Sequence, residues 1–301
     1  VRRFSRVNRA ACRLLAASLL LLIPVTTVIP LYAQEASVTA TRVAGVPREE
    51  CFPLETLPAE LRPKAEQMLL TLLDGEALYT IVGGIKPMST GFGAYRFPVS
   101  KPETKAVEEA RQILAAFRCG EALYADLLPY RQVYNGKREC DAIIFNRGGM
   151  AQTVTQYNSF FAPYGITPSF HPLALTVQIE QDMTTARNRG LGYLFGYPKH
   201  AVDFYVLSAE KQKKTKVLVP RDFIQIPTYV SPTGRFVYAV PKGYKETEVD
   251  KQLRTRADKV LAAYRERRAR YIGEGKPGVV ALLRDWMDDG TGRCAPENAR
   301  F

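Results

Sequence analysis

The chain has 301 residues, 46% of them hydrophobic, with 42 Lys and Arg against 30 Asp and Glu and a formal charge of +12. This apolar content and the scarcity of low-complexity runs exclude a disordered chain. Five of the basic residues (Arg2, Arg3, Arg6, Arg9 and Arg13) precede one apolar run, and setting them aside leaves 37 basic against 30 acidic residues, a net of +7, which is not the footprint of a dedicated nucleic-acid protein.

That basic start, the apolar run at 14–23 and the small residue Ala33 have the layout of a secretory signal peptide over 1–33. The stretch 14–33 is also long enough for a retained N-terminal membrane anchor, although Pro24 and Pro30 interrupt it. Export places the protein in the periplasm or outside the cell. It removes nucleic acid as a partner and leaves no stable membrane span once the signal is cleaved. Residues 34–52 read as an extended lead-in and 53–301 as one globular domain. The expected fold is α+β, helix-rich, with a small mixed sheet and a C-terminal helical section.

An apolar stripe of Leu61, Ala65, Met68, Leu69, Leu72 and Leu73 predicts a helix over 58–73, ended at Asp74–Gly75. LYTIV at 78–82 reads as a buried strand, stopped by Gly83 and Gly84. Ser100 and Glu103 form a capping-box pattern ahead of a helix carrying Val107, Ala110, Ile113, Leu114 and Phe117. Segments 67–79 and 112–124 agree at seven of thirteen positions and both end in GEALY. AIIFN at 142–146 reads as a strand, followed by the glycine turn NRGGM and a helix over 151–161. A further helix runs from about Ser169 to Arg187, GLGYLFGYP at 190–198 reads as a loop, and Pro198 opens a helix to Ala209. FIQIPTYV and RFVYAV around SPTG predict a β-hairpin near 223–240. A long basic helix over 246–272 and a short one over 277–288 complete the chain.

The five cysteines include Cys12 inside the signal. In an oxidising compartment the remaining four, Cys51, Cys119, Cys140 and Cys294, predict disulfides. The expected pairs are Cys119–Cys140 as a local loop and Cys51–Cys294 as a clasp of the chain ends. No CxxC, HExxH or HxH occurs, so neither a metal site nor a cofactor is expected.

Two function classes follow. The first is binding of a small molecule or an anionic envelope component. Its site draws on the glycine turns Gly83–Gly84 with Lys86 and Arg147 with Gly148–Gly149, where backbone N–H groups can meet an anion. The aromatic loop Tyr193, Phe195 and Tyr197 offers ring faces to the same ligand. The second class is a hydrolase. The chain has two histidines, His171 and His200, as general acid/base candidates. Glu76, repeated as Glu121, supplies a carboxylate, and Ser89 with Lys86 a serine–lysine pair in reversed order. The basic helix at 251–270 suits an anionic surface.

Overall fold

The structure, a computed structural model, describes residues 45–233 and 236–296. The expected signal peptide, Cys12 and most of the lead-in lie outside the described residues. In chain order the elements are β1 (Val46–Pro47), α1 (Arg62–Asp74), α2 (Leu78–Ile81), β2 (Met88–Ser89), β3 (Ala94–Pro98), α3 (Lys105–Ala115), β4 (Arg118–Cys119), β5 (Leu123–Tyr134) and β6 (Lys137–Asn146). They continue as α4 (Arg147–Gln156), α5 (Asn158–Phe161), α6 (Pro172–Glu180), α7 (Thr184–Leu194), α8 (Lys199–Thr215), β7 (Arg221–Ile226), β8 (Phe236–Pro241), α9 (Glu248–Tyr271), α10 (Val279–Trp286) and β9 (Arg293–Cys294). The helix-rich α+β reading holds, with the hairpin and the C-terminal helical section where the sequence places them.

The central sheet is built around β6, which pairs antiparallel with β5 on one side and with β2 and β3 on the other, while β4 pairs antiparallel with the start of β5 at the sheet edge. Its side chains alternate between two cores. Ala142 and Ile144 face the core formed with α1, α2, α3, α9, α10 and the β7–β8 hairpin. Ile143 and Phe145 face the core formed with α4 to α8. Both faces are covered by helices, so AIIF is a continuous apolar run instead of an alternating one. The β5–β6 turn is Asn135–Gly136 with positive φ at both residues, the backbone of a tight hairpin.

Four expected elements differ. LYTIV forms the single helical turn α2 and not a strand. All four of its residues are buried, and a short run that is apolar all round carries no period to tell the two apart. The helix expected from Ser100 begins at Lys105 and lacks a side-chain cap on its first turn. The 169–187 helix is two helices, α6 and α7, and α7 runs on through Gly190 and Gly192 into the expected loop. A Cβ on Gly190 would lie 2.6 Å from Ile179 Cγ2 and one on Gly192 2.8 Å from Val202 Cγ2. Those glycines therefore serve close contact with α6 and α8, not a break in the helix.

The disulfide expectation is corrected as well. Cys51 bonds to Cys119, while Cys140 and Cys294 are free and buried. Cys51 and Cys119 face each other in an isolated antiparallel bridge, reinforced by Phe52 N–H donating to Arg118 O at 2.6 Å. Cys119 pairs with Leu123, which pairs with Asn146, six residues beyond Cys140 on β6. At ~3.3 Å per strand residue this offset is ~20 Å, which rules out Cys119–Cys140. Cys294 does come to the chain's other end, because β9 pairs with β1, but the Cys51 sulfur is already bonded.

Candidate functional site

A cleft of about 700 Å³ opens between α4, the end of α7, the start of α8 and α9. Two helices present the same spacing to it. On α4 these are Gly149, Gln152, Thr153 and Gln156; on α9 they are Val249, Gln252, Leu253 and Arg256. Each set is i, i+3, i+4, i+7, one face of a helix. The 193–200 segment, with Tyr193, Tyr197, Lys199 and His200, closes the space between them.

The two glycine turns and the aromatic segment therefore share one cleft through Gly84, Gly149, Tyr193 and Tyr197. The other sequence candidates have different work. Gly83 and Gly84 have positive φ, and their carbonyls accept from Arg256 Nη2 at 3.2 and 3.4 Å. Gly196, with φ 77°, sits against the 85–87 backbone, where a Cβ would lie 3.0 Å from Pro87 Cδ. Arg147 and Gly148 are exposed, and Arg147 pairs with Glu121 at 2.8 Å. The expected glycine turn is the first turn of α4. There Asn146 caps the helix, its side chain accepting from Gly149 N–H at 2.8 Å. That N–H is thus not available to an anion.

Lys86 is fully buried beneath the cleft. Its ammonium donates to Glu76 at 2.6 Å and lies 4.3 Å from the centre of the Phe236 ring, with Phe195 and Tyr197 at 5.5 and 5.6 Å. Ser89 is fully buried, and its hydroxyl is 2.8 Å from Thr80 Oγ1. With Lys86 held by Glu76 and Ser89 held by Thr80, the serine–lysine pair is not assembled. Nor do Glu76 and Glu121 face each other, since the first binds Lys86 and the second Arg147. The GEALY copies also diverge, the first entering helix α2 and the second strand β5.

The two histidines lie in separate surroundings. His171 is exposed at the start of α6, beside the Tyr124 ring at 5.4 Å. His200 lies on the cleft wall, stacked on Tyr244 at 5.3 Å, with Nε2 3.0 Å from Tyr244 Oη and 3.2 Å from Asp250 Oδ1. Asp250 is fully buried and accepts from Tyr238 Oη at 2.6 Å, Tyr244 Oη at 2.7 Å, and Thr247 N and Oγ1 at 2.8 and 2.7 Å. Burial raises the Asp250 pKa, but these hydrogen bonds outweigh it and hold the carboxyl at about 2. Tyr244 gives its hydroxyl proton to Asp250, so its oxygen accepts from His200 Nε2.

The sequence reading missed Gln152, Gln156, Gln252, Arg256 and Asp203 as cleft residues, and Asp250 as the partner of His200. The signal was present in part. Val249 and Leu253 are apolar at helical spacing, yet Val249 is 56% exposed because it faces the cleft. Lys199 and Asp203 pair across one turn of α8 at 2.6 Å, and Asp203 also accepts from Arg189. Burial raises the Asp203 pKa, and the bonds from Lys199 and Arg189 reverse this and lower it. The lining charges Lys199, Asp203 and Arg256 leave the cleft weakly positive.

A second depression, about 750 Å³, lies beside the β5–β6 hairpin and includes Arg96, Glu139, Glu180 and Arg187. Those residues pair with one another as Arg96–Glu139 and Arg187–Glu180. The charge of the basic helix is likewise partly engaged within the fold. Arg254 binds Glu246, Arg268 binds Asp74 at 2.7 Å, and Arg267 lies over Trp286. Among the described residues no helix is long and apolar enough to cross a membrane.

Compared with protein families, with curated proteins and with solved structures, the chain matches none.

Proposed function

We propose that this protein binds a small, hydrogen-bonding, neutral or weakly anionic ring compound in the α4–α9 cleft. The observation that carries the reading is the convergence of two helix faces and the 193–200 segment on one space of about 700 Å³, within the size range of small-molecule sites. Gln152, Gln156 and Gln252 supply amide donors and acceptors, Arg256 and Lys199 supply positive charge, and Tyr193 and Tyr197 supply apolar walls. Sugars and sugar acids of an envelope polymer have this chemistry, and export would bring them within reach.

The test is a ligand-observed NMR screen of monosaccharides, amino sugars and sugar acids, followed by calorimetry. Each lost side-chain hydrogen bond contributes ~1 kcal/mol, so Gln156→Ala or Gln152→Ala weakens binding by roughly fivefold. A ligand whose affinity is unchanged in both variants and in Arg256→Ala binds elsewhere, and the cleft assignment then fails.

A second reading rests on the His200–Asp250 couple. An imidazole oriented by Tyr244 beside a buried carboxylate has the arrangement of a general base: it takes a proton from a water that attacks the carbonyl of a bound ester, the ester carbon–oxygen bond breaks, and the proton passes to the leaving oxygen. His200→Ala that binds ligand but no longer turns it over supports hydrolysis. Intact ligand after long incubation with the wild type removes this reading and leaves binding.

A further inference from the structure

Outside the cleft the described residues contain one close cluster of reactive side chains. The sulfurs of Cys51, Cys119 and Cys294 all lie within 4.8 Å of one another, and all three residues are fully buried. Two of them form the disulfide, and the third is a thiol. The cluster sits where three segments meet: Cys51 follows β1, Cys119 ends β4 at the sheet edge, and Cys294 lies on β9, paired with Val46 of β1. A thiol beside a disulfide is the reactant pair for exchange, which proceeds through sulfur–sulfur attack and needs no oxidant.

We propose that Cys294 is an internal exchange partner of this disulfide and attacks the Cys119 sulfur. The Cys294 thiolate forms a bond to Cys119 Sγ as the Cys51–Cys119 bond breaks, and the electron pair leaves on Cys51 Sγ. The proton given up by Cys294 ends on Cys51. One disulfide and one thiol exist before and after, so atoms and electrons balance. The surroundings select Cys51 as the leaving group. Its sulfur lies 3.8 Å from Met287 Sδ, an acceptor for the new thiol, and its carbonyl accepts from Arg284 Nε at 2.8 Å. Arg284 also receives the Cys294 thiol at its own carbonyl, 3.8 Å away, so one residue touches the attacking thiol and the backbone of the leaving cysteine.

The exchange moves a tether. With Cys51–Cys119 closed, the segment after β1 is bound covalently to the sheet edge. With Cys119–Cys294 closed, the C-terminal strand takes that place and the segment after β1 is held without a covalent link, by the burial of Phe52, Leu54 and Leu57 and by the Arg48–Asp285 and Arg284–Glu55 pairs. The rate is governed by Cys294 ionisation. Burial pushes that thiol up, Arg48 and Arg284 oppose the rise, and Asp288 and Asp289 add to it. Exchange therefore accelerates with rising pH.

The test uses the oxidised full chain, held under native conditions at about pH 6.5 and about pH 8.5, acid-quenched, alkylated in denaturant and mapped without reduction. The expected result is two populations. One has Cys51–Cys119 linked and Cys294 alkylated; the other has Cys119–Cys294 linked and Cys51 alkylated. The second grows roughly tenfold per pH unit faster at the higher pH, with Cys140 unlinked throughout. Only Cys51–Cys119 after long incubation, or a Cys51–Cys294 link instead, overturns the proposal. Linkage of Cys140 overturns it too, because the exchange then runs through unfolded chain. Cys51→Ser provides an independent measurement. Once folded and incubated with oxidised glutathione as the disulfide oxidant, Cys119 and Cys294 form a disulfide and two equivalents of glutathione thiol are released; two free or glutathione-capped thiols in the folded variant contradict the assignment.

Discussion

At the residue scale, two buried charges carry the strongest expectations. Asp250 is depressed to about 2 by the hydroxyls and amide of Tyr238, Thr247 and Tyr244. A carboxyl held below its unfolded value of ~3.9 contributes stability that is complete above that value and lost as pH falls through the folded one. The contribution is about 2–3 kcal/mol and disappears between about pH 4 and pH 2. Thermal melts across that window check it, since in Asp250→Asn the acid-induced drop is smaller by that amount. Lys86 and Glu76 give an asymmetric pair. Lys86 is fully buried, whereas the Glu76 side chain is 19% exposed. Removing Glu76 strands an ammonium without water, but removing Lys86 leaves a carboxylate that can hydrate. Glu76→Ala is therefore expected to cost ~3 kcal/mol or more and Lys86→Met distinctly less. Equal losses in denaturant titrations contradict this account of the pair.

At the element scale, α7 shows why part of the fold was legible and part was not. The long helix α9, the hairpin β7–β8 and strand β6 follow their sequence signals because each has a clear period or an unambiguous turn. In α9, Thr247 and Asp250 even form the reciprocal cap that a helix start favours. GLGYLFGYP misleads because its glycines look like turn residues, yet Gly190 and Gly192 are helical and admit Ile179 and Val202. Gly190→Ala separates the two explanations. In an exposed helix alanine gains ~1 kcal/mol over glycine; here the crowded Cβ reverses the sign, with an expected loss of ~1–3 kcal/mol from overpacking. A stabilised variant by calorimetry would mean that α6 and α7 have room to spare. Strand β5 was missed although Asn135–Gly136 is the strongest short hairpin signal in the chain, because its polar outer half, Arg131 to Tyr134, lacks apolar alternation.

At the scale of the whole molecule, two helix layers enclose a sheet, and the cleft opens where they meet at the end of β6. Tyr197 packs against both cores and also lines the cleft. The site was half legible for that reason. Gly84, Gly149, Tyr193, Tyr197 and His200 carry local signals of turn, ring or titratable group. The glutamines and Arg256 acquire meaning only when α9 is laid beside α4, a long-range placement that no local pattern encodes. Lys86, Ser89 and Glu76 have the chemistry of a site but the burial of a core. The most direct measurement of the binding claim is an amide-resolved NMR titration of the full chain with the sugar and sugar-acid panel. The account predicts shifts concentrated on 149–157, 193–203 and 249–256, all displaced together to roughly fivefold higher ligand concentration in Gln156→Ala. Shifts confined to the β5–β6 depression, or none with any compound of the panel at millimolar concentration, contradict it.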